Sequence, residues 1–129
     1  MKSITTKGAI IKYRDDGIIH VHYDDTLFTL EEIKNIFYTT REHSPWEIAP
    51  IYLSGGTFTN QDAEARAFSG SEEVMKHSSA IAFLSKTTAE KLLANFFIRF
   101  NKPSKPTKGF TNETEAIAWL KQFETIAKK

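Results

Sequence analysis

The sequence predicts an α/β fold: a mixed, mostly parallel five-stranded sheet with an N-terminal hairpin and about four helices, in a single domain over residues 1–129. Three observations carry this. The predicted elements run β-β-α-β-α-β-α-β-α, and such alternation gives parallel strands joined by right-handed crossovers. Ile48–Leu53 and Ala80–Leu84 are apolar runs with little alternation, as suits strands covered on both faces. The first two strands are joined through Asp16-Gly17, a favoured pair for a tight antiparallel turn.

Residues 7–14 and 18–23 form that hairpin. In the second strand Ile19, Val21 and Tyr23 alternate with His20 and His22, so the histidines share the opposite face. Two histidines so placed need further ligands to hold a metal, and none is identifiable, so no metal site is expected. Thr29 and Glu32 have capping-box spacing, with Phe28 and Ile33 placed as a hydrophobic staple. Leu30, Ile33, Ile36, Phe37 and Thr40 make the inward stripe of the helix, which His43-Ser44-Pro45 ends.

Pro50 argues against a central hydrogen-bonded place in the next strand. Ser54-Gly55-Gly56 breaks that strand. Thr59 or Asn60 then caps a helix containing Ala63, Ala65, Arg66 and Phe68. Gly70 interrupts it, and Ser71 caps a further turn with Val74 and Met75.

The stretch Thr87–Phe110 carries an apolar helix, a basic loop and a short strand. Thr87 and Glu90 repeat the capping-box spacing. Ala89, Leu92, Leu93, Phe96 and Phe100 share one face and are expected in the core, at about 1.5–3 kcal/mol for each large side chain. Ile98 points away from that stripe and Phe97 lies on its flank, which predicts surplus apolar surface. Pro103 stops the helix near Asn101. Thr107–Phe110 is a strand, and Thr111 or Asn112 caps a last helix with Ala116, Leu120, Phe123 and Ala127 on one face. Lys128-Lys129 would sit at its C-terminus.

At 129 residues, with 40% hydrophobic and 26% charged content, the chain is the size and composition of one soluble domain. Seventeen basic and sixteen acidic residues nearly cancel, so no global field draws it to nucleic acid or membrane. The lack of cysteine excludes disulfides, thiolate catalysis and zinc–thiolate sites. No run can span a bilayer and the first residues carry no signal-like segment; a cytoplasmic location without integral membrane association is expected. No hydrolase, zinc-protease, Walker or dinucleotide motif is present, so neither an enzyme nor a cofactor is expected. Asp15-Asp16 and Asp24-Asp25 read as solvated turns. Arg99, Lys102, Lys105 and Lys108 fall together without an acid, while Asp62, Glu64, Glu72 and Glu73 make 62–73 acidic. The basic loop suits a phosphate, a lipid head group or an acidic partner and is too thin for nucleic acid.

The opening hairpin with its Asp-Gly, Leu92-Leu93-Ala94-Asn95-Phe96-Phe97, Asn101-Lys102-Pro103, Pro106-Thr107 and Ala116-Ile117-Ala118-Trp119-Leu120 resemble small bacterial proteins of the STAS-like group, which have the fold of the anti-sigma-factor antagonists. The resemblance implies a non-enzymatic regulatory or protein–protein interaction module. Its partner, often a serine kinase in such domains, would meet the start of the helix after the third strand. That places partner binding at Gly55, Gly56, Thr57, Thr59, Asp62 and Arg66, with Thr59 the first phosphorylation candidate. The Asp-Ser-Ser-Gly type of signature is missing there. Relatives of the CRAL-TRIO type are lipid carriers, which implies the alternative: a small-molecule or lipid-binding protein with a pocket beside helix 87–101, using Phe97, Arg99, Lys102 and Lys105. A homodimer through Phe97 and Ile98 is also expected.

Overall fold

The computed structural model describes residues 2–55 and 61–128, with the backbone alone at Phe97, Phe100 and Asn101. The elements are β1 (Lys2–Thr6), β2 (Ala9–Tyr13), β3 (Ile19–Tyr23), α1 (Leu30–His43), β4 (Trp46–Gly55), α2 (Ala63–Ser69), α3 (Glu72–Met75), β5 (Ser78–Leu84), α4 (Thr88–Asn101), β6 (Thr107–Phe110), α5 (Glu113–Leu120) and β7 (Ile126–Ala127). The sheet runs β1-β2-β3-β4-β5-β6 in sequence order, and β7 pairs with β4.

Among the described residues the sheet thus has seven strands rather than five, with five helices rather than about four. It is evenly mixed. The pairs β1–β2, β2–β3 and β4–β7 are antiparallel; β3–β4, β4–β5 and β5–β6 are parallel. β1 is an edge strand of largely exposed polar residues, so it has no apolar alternation to announce it. β7 comes from the end of the chain. The predicted last helix stops at Leu120, and Ile126 and Ala127 instead pair with Ile48 and Trp46. The start of β4 extends past the residues that pair with β3, and β7 supplies backbone partners there. Lys128 does meet a helix C-terminus, but that of α1: its Nζ donates to the Arg41 carbonyl at 2.9 Å.

α1 begins as its spacing predicts. The Thr29 hydroxyl accepts from the Glu32 amide, and the Glu32 carboxylate accepts from Thr29 in return. Pro50 lies in β4 despite its missing donor, next to a break in register between Ala49 and Pro50. Asp62, not Thr59 or Asn60, caps α2, accepting from the Ala65 amide at 2.9 Å.

The sheet separates two cores. On one face α5 lays Ala116, Ile117 and Leu120 against Tyr52, Ala80, Ala82 and Phe110. On the other, Ile33 and Ile36 of α1 meet Ile11, Ile19 and Val21.

α4 departs most from expectation. Leu92, Leu93 and Phe96 are 63%, 51% and 59% exposed, whereas Ala94 is buried. The physical reason is a polar anchor. The Asn95 side-chain oxygen accepts from the Gly109 amide of β6 at 2.9 Å, which turns Ala94, Asn95 and Ile98 inward. At 100° per residue Leu92, Leu93 and Phe96 must then face out.

Candidate functional site

β-Strand alternation and register put two rows of side chains on the face below α1 and α4: Ile19, Ile51, Ile81 and Thr107 in one, Val21, Leu53, Phe83 and Gly109 in the next. Ile33 and Ile36 of α1 pack against Ile19 and Val21, yet the described residues leave a gap over this floor. A cavity of about 870 Å³ lies between, walled by Phe37 of α1, Phe68 of α2, Val74 beyond it and Ile98 of α4. That volume lies within the usual range for small-molecule sites. α4 is tethered along the β6 edge, so it stands over the rim of the floor instead of filling it.

The lining also carries polar groups, among them the buried Thr40 and Ser78 and the charged Arg41 and Arg66. Arg41 donates to the carbonyls of Trp46 and Glu47 at 3.2 and 3.3 Å, with the Glu47 carboxylate 3.8 Å away. His77 Nδ1 lies 3.4 Å from that same carboxylate. Across the cavity Arg66 donates to the Gln61 carbonyl at 2.6 Å. The arrangement is a largely apolar lining that also includes Arg41 and Arg66. It suits burial of a hydrocarbon body with a polar group held near the surface.

The opposite face holds a second cluster. β3 and β4 pair His20 with Tyr52 and His22 with Ser54. Ser54 Oγ lies 2.6 Å from His20 Nε2 and 2.8 Å from His22 Nδ1, and the His20 ring stacks on Tyr52 with centroids 4.5 Å apart. One hydroxyl proton serves one nitrogen, so at least one imidazole donates N–H to Oγ. Burial pushes His20 down to about 4, helped by the charge of Lys12 and opposed by Glu113. Burial pushes Tyr52 up to about 12, with the Glu113 charge adding to it. Ser54 is buried, His20 half-buried and His22 exposed, so the network joins two strands and reaches the surface at His22. Among the described residues no three His, Asp or Glu side chains gather for a metal.

This network predicts acid sensitivity. Unfolded His20 titrates near its ordinary 6.5 and folded His20 near 4. The unfolded chain therefore binds the extra proton first, and stability present above 6.5 is lost as pH falls toward 4. His20 is only partly buried, so the loss is about 1–2 kcal/mol. Urea titrations at pH 7 and pH 5 check it: the difference shrinks in His20→Asn, and an unchanged difference rejects the assignment.

The residues expected at a partner surface are placed as follows. Gly55 is packed against the Tyr23 backbone. Asp62 caps α2, and its amide donates to the Phe28 carbonyl at 3.0 Å. Arg66 is exposed and lines the cavity. Gly56, Thr57 and Thr59 lie outside the described residues. Of the ligand and dimer residues, Ile98 is half-buried on the cavity wall, not outward. Arg99 and Lys102 are exposed, and Lys105 is half-buried, beside Pro103 and Thr107 of the lining. The side chain of Phe97 lies outside the described residues. The histidine–serine contact escaped the sequence reading because it depends on the parallel register of two distant strands. Its one signal was the pair of histidines on one strand face.

Residues 11–124 match a family described as a domain of unknown function (DUF7793). No curated protein matches the chain. Among solved structures, an uncharacterised protein of the DUF3478 family with a SpoIIAA-like fold, from Shewanella loihica PV-4, is similar with a TM-score of 0.59. The two share 15% identity over 87% of this chain and 91% of that one. At that identity the likeness carries the fold, a SpoIIAA-like and hence STAS-like α/β domain, and no activity.

Proposed function

The chain belongs to the DUF7793 family, and we propose that it is a non-enzymatic binding protein that encloses an apolar small molecule, such as a fatty acyl chain, between its sheet and α4. The observation that carries this is the 870 Å³ cavity with its aliphatic and aromatic floor. The side chains of Ile51, Leu53 and Ile81 border this space and lack dispersion contacts on that side. A ligand would supply them. The cavity borders α4 through Ile98 and Pro103, whereas Arg99, Lys102 and Lys105, expected from the sequence as ligand residues, are not among the described lining.

The other reading, a regulatory surface at residues 55–66, has less behind it. Gly55, Asp62 and Arg66 each serve a contact within the chain.

The test is binding of the fluorophore anilinonaphthalene sulfonate to folded protein. Wild type is expected to bind it at one site and release it to long-chain fatty acids. Leu53→Trp puts an indole into the cavity from its floor and is expected to weaken binding at least about tenfold. Equal binding by the folded variant would refute the proposal.

A further inference from the structure

The outer side of α4 calls for a different occupant from the inner side. Leu92, Leu93 and Phe96 lie within one arc of the helix, on the side opposite Ala94 and Ile98, and all three are exposed. Ala89 and Arg99, also exposed, adjoin the same arc. The charge of this segment is one-sided, with Lys86 facing Asp25 of the β3–α1 connection at 3.7 Å. Residues 86–108 hold six lysine or arginine side chains and one glutamate, a net of +5, in a chain whose net is +1. The rest of the chain therefore stands at −4. The single acid, Glu90, is turned to the start of the helix, where its carboxylate accepts from the Lys86 amide at 2.9 Å.

We propose that this face of α4 docks on an anionic lipid surface. An apolar arc with basic flanks on one helix is the pattern of a helix that lies in the headgroup region. Leu92, Leu93 and Phe96 would enter the acyl boundary while Arg99 and Lys102 meet lipid phosphates and carboxylates. A second copy of the chain fits the face less well. A symmetric pairing through α4 would bring two +5 segments together, and like charges across an interface oppose association. The cavity lies on the other side of the same helix, where Ile98 and, just after it, Pro103 form part of its wall. The docking face itself stands on exposure and charge, independently of any ligand.

Co-sedimentation with phosphatidylcholine vesicles, with and without phosphatidylserine, tests this. Wild type is expected to bind the phosphatidylserine vesicles, to bind the neutral ones much less, and to be released by high salt. The triple variant Leu92→Ser, Leu93→Ser, Phe96→Ser alters exposed positions only and is expected to lose at least about tenfold in partitioning. Leu27→Ser, at an equally apolar position that is 67% exposed outside this face, is expected to bind like wild type. Leu53→Trp is expected to bind vesicles normally, so a failed ligand site and a failed docking face are told apart. Absence of wild-type binding to anionic vesicles overturns the proposal, as does binding that the triple variant retains. A dimer seen by sedimentation velocity, dissolved by the triple variant and with no vesicle binding, assigns the face to a second copy and overturns it equally.

Discussion

Gly55→Ala, at the end of β4, is expected to destabilise the fold by about 2–4 kcal/mol. Two causes combine. Gly55 has φ +88°, where a side chain is strained, and a Cβ there would run into the Tyr23 carbonyl oxygen. The partner is backbone in the neighbouring parallel strand, so it cannot rotate aside. Gly70→Ala is the control. It has φ −91°, and its nearest neighbour to an added Cβ is 3.7 Å away, so a change below about 1 kcal/mol is expected. Urea unfolding with an unchanged slope measures both. The sequence assigned Gly55 to partner contact. A stable Gly55→Ala protein would contradict the strain argument.

The second large effect separates packed core from cavity wall. Leu120→Ala is expected to cost about 2–5 kcal/mol, because Leu120 is fully buried against α5's own face of the sheet. Leu53→Ala is expected to cost less than half as much. Leu53 already borders a void, so truncation enlarges it and removes few contacts. Leu53→Met is expected to be neutral or slightly stabilising, since a longer side chain gains neighbours. Equal losses at Leu53 and Leu120 would mean that the helices close on the floor and that no cavity exists in solution.

Much of the fold was legible because local signals agreed with tertiary ones. Thr29 with Glu32, Thr87 ahead of Glu90, Asn112 ahead of Glu115, and the Asp16-Gly17 turn all act within a few residues. The apolar runs of β4 and β5 named the central strands. What could not be read depended on distant partners. β1 is polar and exists through its pairing with β2. β7 exists because β4 overhangs its neighbours. The rotation of α4 is the clearest case: periodicity identified an apolar stripe but not its direction. The hydrogen bond from Gly109 to Asn95 goes with the observed rotation, in which Ile98 faces the cavity and Phe96 is exposed.

The candidate site followed the same division. The alternative of a pocket beside helix 87–101 came from its excess of apolar residues. Its floor could not be named, because it needs the registers that align Ile51 with Ile81 and Leu53 with Phe83. The Ser54 network was equally hidden. His22 and Ser54 are neighbours through β3–β4 pairing alone.

The central claim is that the cavity takes an apolar ligand, and calorimetric titration of the folded protein with a long-chain fatty acid tests it most directly. The predicted result is saturation at one ligand per chain with a negative heat-capacity change, as burial of hydrocarbon requires, and its loss in Leu53→Trp. Absence of saturable binding, or binding that Leu53→Trp leaves intact, would contradict it.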